Sequence, residues 1–183
     1  RPVELTQLGE WSRRITSFPP DFSNVGIDAE TRARIHATLD DDSGEYCVAG
    51  TALIAGLLKA LLDRGVQPHV NARAIELTGG PDGITGVVID RGDTRIRVRA
   101  RRGVVLGTGG FEWDRSLVEA FLRGPMRGAV SPPNNTGDGL RMAMAHGAEL
   151  ANMGEAWWVP IVRLPGDTFQ GHPRSRSVRL ERT

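Results

Sequence analysis

The sequence has little cysteine, no excess of either charge and no long apolar run, and each absence excludes a class of protein. Among its 183 residues the single cysteine, Cys47, excludes an intramolecular disulfide and a metal site built from several cysteines of one chain. Lys and Arg number 23 against 22 Asp and Glu, so the charge balance does not indicate nucleic acid or an anionic membrane surface as a partner. No apolar run reaches the length of a transmembrane helix. We therefore expect no metal site and no integral membrane segment, in a cytoplasmic protein.

The most informative stretch is an apolar segment that ends in glycines. Residues 101–106 read Arg-Arg-Gly-Val-Val-Leu, which is typical of a buried strand, and residues 107–110 follow as Gly-Thr-Gly-Gly. In α/β proteins ligands bind at the carboxyl ends of strands, and a backbone without side chains lets a phosphate or a flat ring approach closely. The turn is therefore a candidate ligand edge. A glycine turn that only reverses the chain explains these residues equally well.

A second glycine motif, Asn-Thr-Gly-Asp-Gly at residues 135–139, precedes a predicted helix. Glycines at a helix N-terminus bring free N–H groups and the positive end of the helix dipole together, which favours an anion or the electron-rich edge of a ring. Asp138 is a candidate acceptor for a sugar hydroxyl. Alternatively, Thr136 or Asp138 only caps the helix, and this is the stronger interpretation of the motif taken alone. Two such turns in one small domain favour a ligand with more than one polar region.

Periodicity and turn residues predict the secondary structure. Gly65 is placed to end a leucine-rich helix in the left-handed conformation, and Asp114 is placed to cap a later helix. The two strands on either side of the Asp-Arg-Gly-Asp segment are expected to form a hairpin. The predicted helices span 28–39, 50–64, 114–122 and 140–146, and the predicted strands span 66–77, 84–89, 94–99 and 101–106.

Two charged runs each have a functional and a simpler interpretation. Arg95, Arg97 and Arg99 alternate with apolar residues on a predicted strand. A solvated sheet face is favoured over a phosphate-binding surface there, because no aromatic residues interleave with the arginines. The three aspartates at residues 40–42 are better explained as a solvated turn than as a metal site, since no paired ligands follow at a suitable spacing.

Three segments, taken in order and with their spacing, resemble the flavoprotein subunits of the fumarate reductase and succinate dehydrogenase family, and in particular its FAD-dependent 3-ketosteroid dehydrogenases. These segments are residues 101–112, 135–143 and 146–153. The resemblance implies an α/β fold. The chain would be an internal fragment of a three-layer ββα, Rossmann-like FAD/NAD(P)-binding domain with an inserted β-hairpin and the start of a substrate (cap) domain. The implied division is an irregular lead-in at 1–44, FAD-binding domain at 45–153 and cap domain at 154–183.

The resemblance also implies a cofactor, FAD, and the residues that contact it. Ala74 would present its backbone to the adenine, residues 108–110 would lie against the dinucleotide, and residues 136–139 would lie near the flavin. The implied cofactor-binding residues are Ala74, Thr108, Gly109, Gly110, Thr136, Gly137, Asp138 and Gly139. The family transfers a hydride between the flavin and a carbon next to a carbonyl or carboxylate, so the expected activity is that of an FAD-dependent oxidoreductase acting on CH–CH groups. The family's opening Gly-x-Gly-x-x-Gly is absent, so residues 1–183 alone are expected to bind little FAD and to be inactive.

Departures from the family pattern bear on the substrate. Dicarboxylate enzymes of the family carry His-Pro-Thr where this sequence has Val-Pro-Ile at residues 159–161, behind Trp157 and Trp158. The lost histidine argues against succinate or fumarate, and the aromatic, apolar residues favour a hydrophobic ketone or enone such as a 3-ketosteroid. Trp157 and Trp158 are therefore candidate substrate contacts, with core or interface packing as the alternative. The ketosteroid enzymes use tyrosines as acid and base, and the only tyrosine, Tyr46, lies in the wrong region, so no catalytic residue is identified.

Two further interpretations stay open at this point. Within the family, the protein is a fumarate reductase or succinate dehydrogenase-like enzyme. Outside it, the chain is a non-catalytic nucleotide-binding or interaction module that keeps the sheet without redox chemistry. The sequence does not indicate the oligomeric state.

Overall fold

The computed structural model describes residues 3–15, 46–47, 49–169 and 171–177. It divides into two compact units, Arg1–His69 and Val70–Thr183. The helix predicted over 28–39 and the aspartates at 40–42 lie outside the described residues. The predicted domain boundaries, after residues 44 and 153, stay predictions. Within the described ranges, no helix is long and apolar enough to cross a membrane.

The described residues of the first unit form one α-helix, a 3₁₀ segment and a short sheet. The helix α1 (Ala49–Leu62) confirms the prediction from leucine spacing, and it packs against a 3₁₀ segment (Leu5–Arg14) that the sequence did not predict. Strand β1 (Val3–Glu4) pairs antiparallel with β2 (Tyr46–Cys47).

A small apolar cluster forms the core of this unit. Leu8, Ala52 and Ala55 are buried, and Leu58 and Leu62 pack against them from the same side of α1. The helix ends as its sequence predicts: Gly65 has φ of 71°, and its N–H donates to the Leu62 carbonyl at 2.9 Å. The helical spacing therefore correctly identified the element and its end.

The second unit is built on a three-stranded antiparallel sheet in the order β3-β4-β5. The strands are β3 (Arg73–Gly80), β4 (Gly83–Asp90) and β5 (Arg95–Arg99). The predicted hairpin β4-β5 is confirmed. The strand predicted over 66–77 instead begins at Arg73, after Asn71 with its φ of 52°, and continues to Gly80 because it pairs with β4. The register shifts between Ala74 and Glu76, which is a bulge in β3.

Two helices and two small strand pairs complete the second unit. Asp114 caps α2 (Arg115–Phe121) as predicted, because its carboxylate accepts a hydrogen bond from the Leu117 N–H at 3.1 Å. The other helix, α3 (Asp138–Ala145), lies against β3. The strand pairs are β6 (Ile161–Val162) with β9 (Arg176–Ser177), and β7 (Thr168–Phe169) with β8 (His172–Pro173).

The strand predicted over 101–106 is not present as a paired strand. Residues 103–110 have no regular secondary structure and pair with no strand of the described part of the chain, and Val105 is 96% exposed. Apolar composition alone led to that prediction. A strand also needs a hydrogen-bonded neighbour, which composition does not reveal.

Candidate functional site

The first glycine turn, residues 107–110, presents backbone N–H groups to solvent. Its four residues are exposed, and no acceptor for their N–H groups is found among the described residues. Gly109 has φ of 78°, a conformation that favours glycine. The turn therefore offers several hydrogen-bond donors that a ligand can use without displacing a side chain.

The second glycine turn, residues 135–139, leads into α3. The N-cap of this helix is Gly137, with φ of 74° and ψ of 19°, and no side chain caps the helix. Thr136 Oγ1 donates instead to Asp138 Oδ1 at 3.1 Å. The interpretation that Thr136 or Asp138 serves only as the helix cap is therefore wrong, and the N-terminal amides of α3 are left without a capping side chain.

The two turns lie side by side although the second starts, at Asn135, 25 positions after the first ends, at Gly110. The Gly137 N–H donates to the Gly110 carbonyl at 3.0 Å, and the Trp113 N–H donates to the Asn135 carbonyl at 3.1 Å. We call residues 107–110 and 135–139 the glycine-turn pair. It brings seven of the predicted cofactor-binding residues into one region of the second unit, all of them except Ala74.

The glycines fit the two turns to each other. A Cβ atom at Gly139 would collide with the Thr108 side chain, and one at Gly137 would collide with Leu117. A Cβ atom at Gly109 would collide with the side-chain amide of Asn135. Gly109 and Gly139 are therefore required for close packing of one turn against the other, and Gly137 is required for packing against Leu117 of α2.

Ala74 lies beside α3 through an ion pair that the sequence did not predict. The guanidinium of Arg73 donates to Asp138 Oδ2 from Nε at 3.0 Å and from Nη2 at 2.8 Å. Ala74, Leu77, Asp138 and Met142 contribute to the lining of a cavity of about 400 Å³ between β3 and α3. Ala74 and Asp138 therefore face a common space. The role of Asp138 as an acceptor for a sugar hydroxyl stays a prediction.

A second cavity adjoins the first glycine turn. It has a volume of about 460 Å³, and Gly110 and Glu112 lie at its wall together with Trp157 and Trp158. Trp158 is 48% exposed and its ring packs 3.1 Å from the position of a Cβ atom at Gly124, whereas Trp157 is 94% exposed. We call this space the tryptophan cavity. The two tryptophans are not core residues, so their side chains are available to a ligand.

The side chain of Glu112 bonds to the glycine-turn pair, and Glu112 also lines the tryptophan cavity. The sequence did not identify it as a site residue. Its Oε1 accepts a hydrogen bond from Asn135 Nδ2 at 2.8 Å, in a partly buried position. Burial by itself raises the pKa of Glu112, but hydrogen bonds from Asn135, Ser131 and the backbone outweigh it and leave the pKa below its ordinary value. Glu112 is therefore a carboxylate at neutral pH. The only available sequence signal was its position directly after the glycine turn and Phe111.

Comparison with known proteins adds three findings. A family described as FAD binding domain matches residues 1–178. The chain is 37% identical over 187 residues to 4-oxocyclohexanecarboxylate 2-dehydrogenase of Sinomonas cyclohexanicum, which covers 99% of this chain and 29% of that protein. It is 35% identical over 153 residues to 3-oxosteroid 1-dehydrogenase of Mycolicibacterium smegmatis, which covers 77% of this chain and 26% of that protein.

A solved structure with the same fold is that of 3-ketosteroid Δ1-dehydrogenase from Sterolibacterium denitrificans in complex with 1,4-androstadiene-3,17-dione. Its TM-score is 0.70 at 29% sequence identity, and the match covers 91% of this chain and 35% of that one. The chain thus spans less than a third of the length of the two curated relatives.

Proposed function

Since the chain belongs to the FAD-binding domain family, we propose that it forms part of an FAD-dependent dehydrogenase that removes hydrogen from adjacent carbons of a hydrophobic cyclic ketone. The predicted cofactor, FAD, and the resemblance to the 3-ketosteroid dehydrogenases are confirmed by the family match and by the relatives. The predicted class of fold is confirmed as well.

The observation that carries the proposal is the glycine-turn pair. The N–H groups at residues 107–110, which have no acceptor among the described residues, lie next to the N-terminus of α3, as the Gly137–Gly110 hydrogen bond requires. Such donors suit the pyrophosphate and the polar ring edges of a dinucleotide. We propose that residues 108–110 and 136–139 hold FAD, with Ala74 facing its adenine. The backbone N–H donors of the glycine-turn pair fit the acceptors of FAD.

The proposed reaction divides between cofactor and protein. Bound FAD would accept a hydride from one carbon of the ring ketone, and the adjacent carbon, next to the carbonyl, would lose its proton to a basic group of the full-length protein. The protein holds the ring of the ketone and keeps water from it. Glu112 is a poor proton acceptor, since its hydrogen bonds lower its pKa, so we do not assign it the proton transfer.

The tryptophan cavity supports a cyclic, hydrophobic substrate. Its volume of about 460 Å³ is within the range of small-molecule sites. Phe111, Leu122 and Met126 form part of an apolar wall, and we propose that Trp157 and Trp158 contact the faces of the substrate ring. The names of the relatives, an oxocyclohexanecarboxylate dehydrogenase and a 3-oxosteroid dehydrogenase, support a ring ketone as the shared substrate feature.

The test uses the full-length protein that contains this chain. We expect flavin absorbance near the wavelengths of bound FAD in the purified protein. We also expect reduction of an artificial electron acceptor with 4-oxocyclohexanecarboxylate or a 3-ketosteroid, and none with succinate. A colourless protein that cannot be reconstituted with FAD would refute the proposal. Activity with succinate alone would reassign the enzyme to the dicarboxylate branch.

A cytoplasmic location is part of the proposal. It is supported by the single cysteine, Cys47, which is compatible with a reducing compartment. Fractionation of cells that make the full-length protein tests it, with recovery outside the cytoplasmic fraction as the contradicting result.

A further inference from the structure

One side-chain hydrogen bond joins the two glycine turns, in addition to the backbone bonds. Asn135 Nδ2 donates to Glu112 Oε1 at 2.8 Å, and the two residues are 23 positions apart in the chain. We call this pair of side chains the clasp. Asn135 opens the second turn, and Glu112 follows the first turn with only Phe111 between.

The clasp lies directly against the bare backbone of the first turn. A Cβ atom at Gly109 would meet the Asn135 amide, and a Cβ atom at Gly110 would meet the Glu112 carboxylate. The two side chains thus occupy the space that the missing side chains of these glycines leave. A change in either member of the clasp alters the position of the turn backbone itself.

The two members of the clasp are a hydrogen-bond donor and an ionised acceptor, and they are therefore complementary. A carboxylate at residue 112 faces an amide N–H donor at residue 135, and hydrogen bonds to an ionised acceptor are stronger than neutral ones. A second carboxylate at residue 135 would leave two acceptors facing each other with no donor between them. Reversing both members restores one donor and one ionised acceptor.

We propose that Glu112 and Asn135 are positioning residues whose clasp holds the two glycine turns at the spacing that the dinucleotide requires. This inference rests on the proposed function, because it concerns binding of FAD. It goes beyond that function in assigning a positioning role to two residues that are not among the predicted cofactor-binding residues. The clasp also connects the two regions, since Glu112 lines the tryptophan cavity and Asn135 belongs to the glycine-turn pair.

The experiment compares three variants in the full-length protein, stripped of flavin and titrated with FAD. Asn135→Asp opposes two carboxylates, and we expect about a tenfold weaker affinity for FAD. Glu112→Gln keeps an acceptor oxygen for Asn135, and we expect a loss of at most about threefold. In the double variant Glu112→Gln with Asn135→Asp, the new amide donates to the new carboxylate, and we expect affinity within about threefold of the unaltered protein.

Asn134→Asp is the matched control, because it makes the same chemical change at the neighbouring exposed residue, whose own side chain makes no hydrogen bond to a described residue. The unfolding temperature of each flavin-free variant is measured as well. If the clasp positions the dinucleotide, Asn135→Asp weakens the affinity for FAD and the double variant restores it. The flavin-free unfolding temperature of the double variant then matches that of the unaltered protein.

Two results would overturn the inference: FAD affinity in Asn135→Asp equal to that in Asn134→Asp, or a double variant as weak as Asn135→Asp. If Asn135→Asp does not fold, the double variant is compared with the unaltered protein: an affinity within about threefold supports the inference, and an affinity weaker by about tenfold or more overturns it. Failure of the proposed function is a separate observation, since in that case the unaltered full-length protein itself does not bind FAD.

Discussion

The glycine-turn pair and the tryptophan cavity meet at Gly110, yet they are built in opposite ways. The glycine-turn pair is made of backbone, and a Cβ atom at four of its five glycines, all but Gly107, would collide with a neighbouring side chain. The tryptophan cavity is made largely of side chains, among them Trp157 and Trp158, which are both exposed. The first region therefore tolerates almost no added volume at those four glycines, whereas the second can change shape around a ligand.

This contrast matches the two roles that we propose, cofactor binding by the glycine-turn pair and substrate binding by the tryptophan cavity. In the proposed function, the cofactor common to the family would be held by main-chain groups, whose chemistry does not depend on the side chain. A substrate that differs between relatives would be contacted by side chains, which substitution can change without disturbing the fold. Breaking one region should therefore leave the other largely intact, and three predictions test this.

The largest effect is expected from Gly109→Val in the full-length protein. The new side chain collides with the Asn135 amide, and a branched residue is strained at φ of 78°. We expect a loss of about 2–4 kcal/mol in the free energy of unfolding and loss of flavin from the purified protein. The measurements are the ratio of flavin to protein absorbance and a denaturant titration.

Gly107→Val is the matched control in the same turn. No described atom lies within 4 Å of its Cβ position, and Gly107 is not among the glycines with positive φ. We expect a much smaller change in stability. Equal losses in the two variants would show that the fit between the turns is not what requires glycine at residue 109.

A smaller and more selective effect is expected from Trp158→Ala. The ring packs over Gly124 at the wall of the tryptophan cavity, and its removal takes away one face of the proposed ring site. We expect about a tenfold rise in KM for the ketone with the flavin content unchanged. Leu164→Ala removes another exposed apolar side chain outside the cavity lining and serves as the control. Loss of flavin in Trp158→Ala would contradict the proposal that the tryptophan cavity can change without affecting the glycine-turn pair.

The smallest effect is expected in acid stability, and it concerns the contact between Asp114 and Arg141 of α3. Hydrogen bonds from Ser116, Arg141 and the Leu117 N–H lower the pKa of Asp114 well below its ordinary value. A lowered pKa in the folded state means that Asp114 contributes stability above the unfolded-state pKa of about 4, and that this contribution is lost as the pH falls further. We expect Asp114→Asn, which still caps α2, to show a shallower loss of stability below about pH 4.

The check is the unfolding temperature of both proteins between neutral pH and pH 2. Because Arg141 of α3 donates to Asp114 at 2.6 Å, acid should loosen α3 and with it the second glycine turn. An identical pH dependence of the unfolding temperature in the two proteins would show that Asp114 does not provide this acid-sensitive contact.

The outcome for individual elements shows what local sequence can predict. Leucine spacing and Gly65 correctly identified α1 and its end, and Asp114 identified the start of α2, because caps and periodicity act within a few residues. The segment 101–106 did not form a paired strand, and β3 began at Arg73 rather than at residue 66. Both differences concern pairing with a distant partner, which a local pattern does not encode.

The same distinction applies to the candidate site. The sequence by itself determined the two glycine turns, the amphipathic helices and the membership of an FAD-binding family, because backbone freedom, helical period and motif order are written in consecutive residues. Only the tertiary structure decided that Gly137 bonds Gly110, that Asn135 reaches Glu112 and that Arg73 pairs with Asp138. Such contacts join residues 23 to 65 positions apart, and they depend on how whole elements pack rather than on any single stretch of chain.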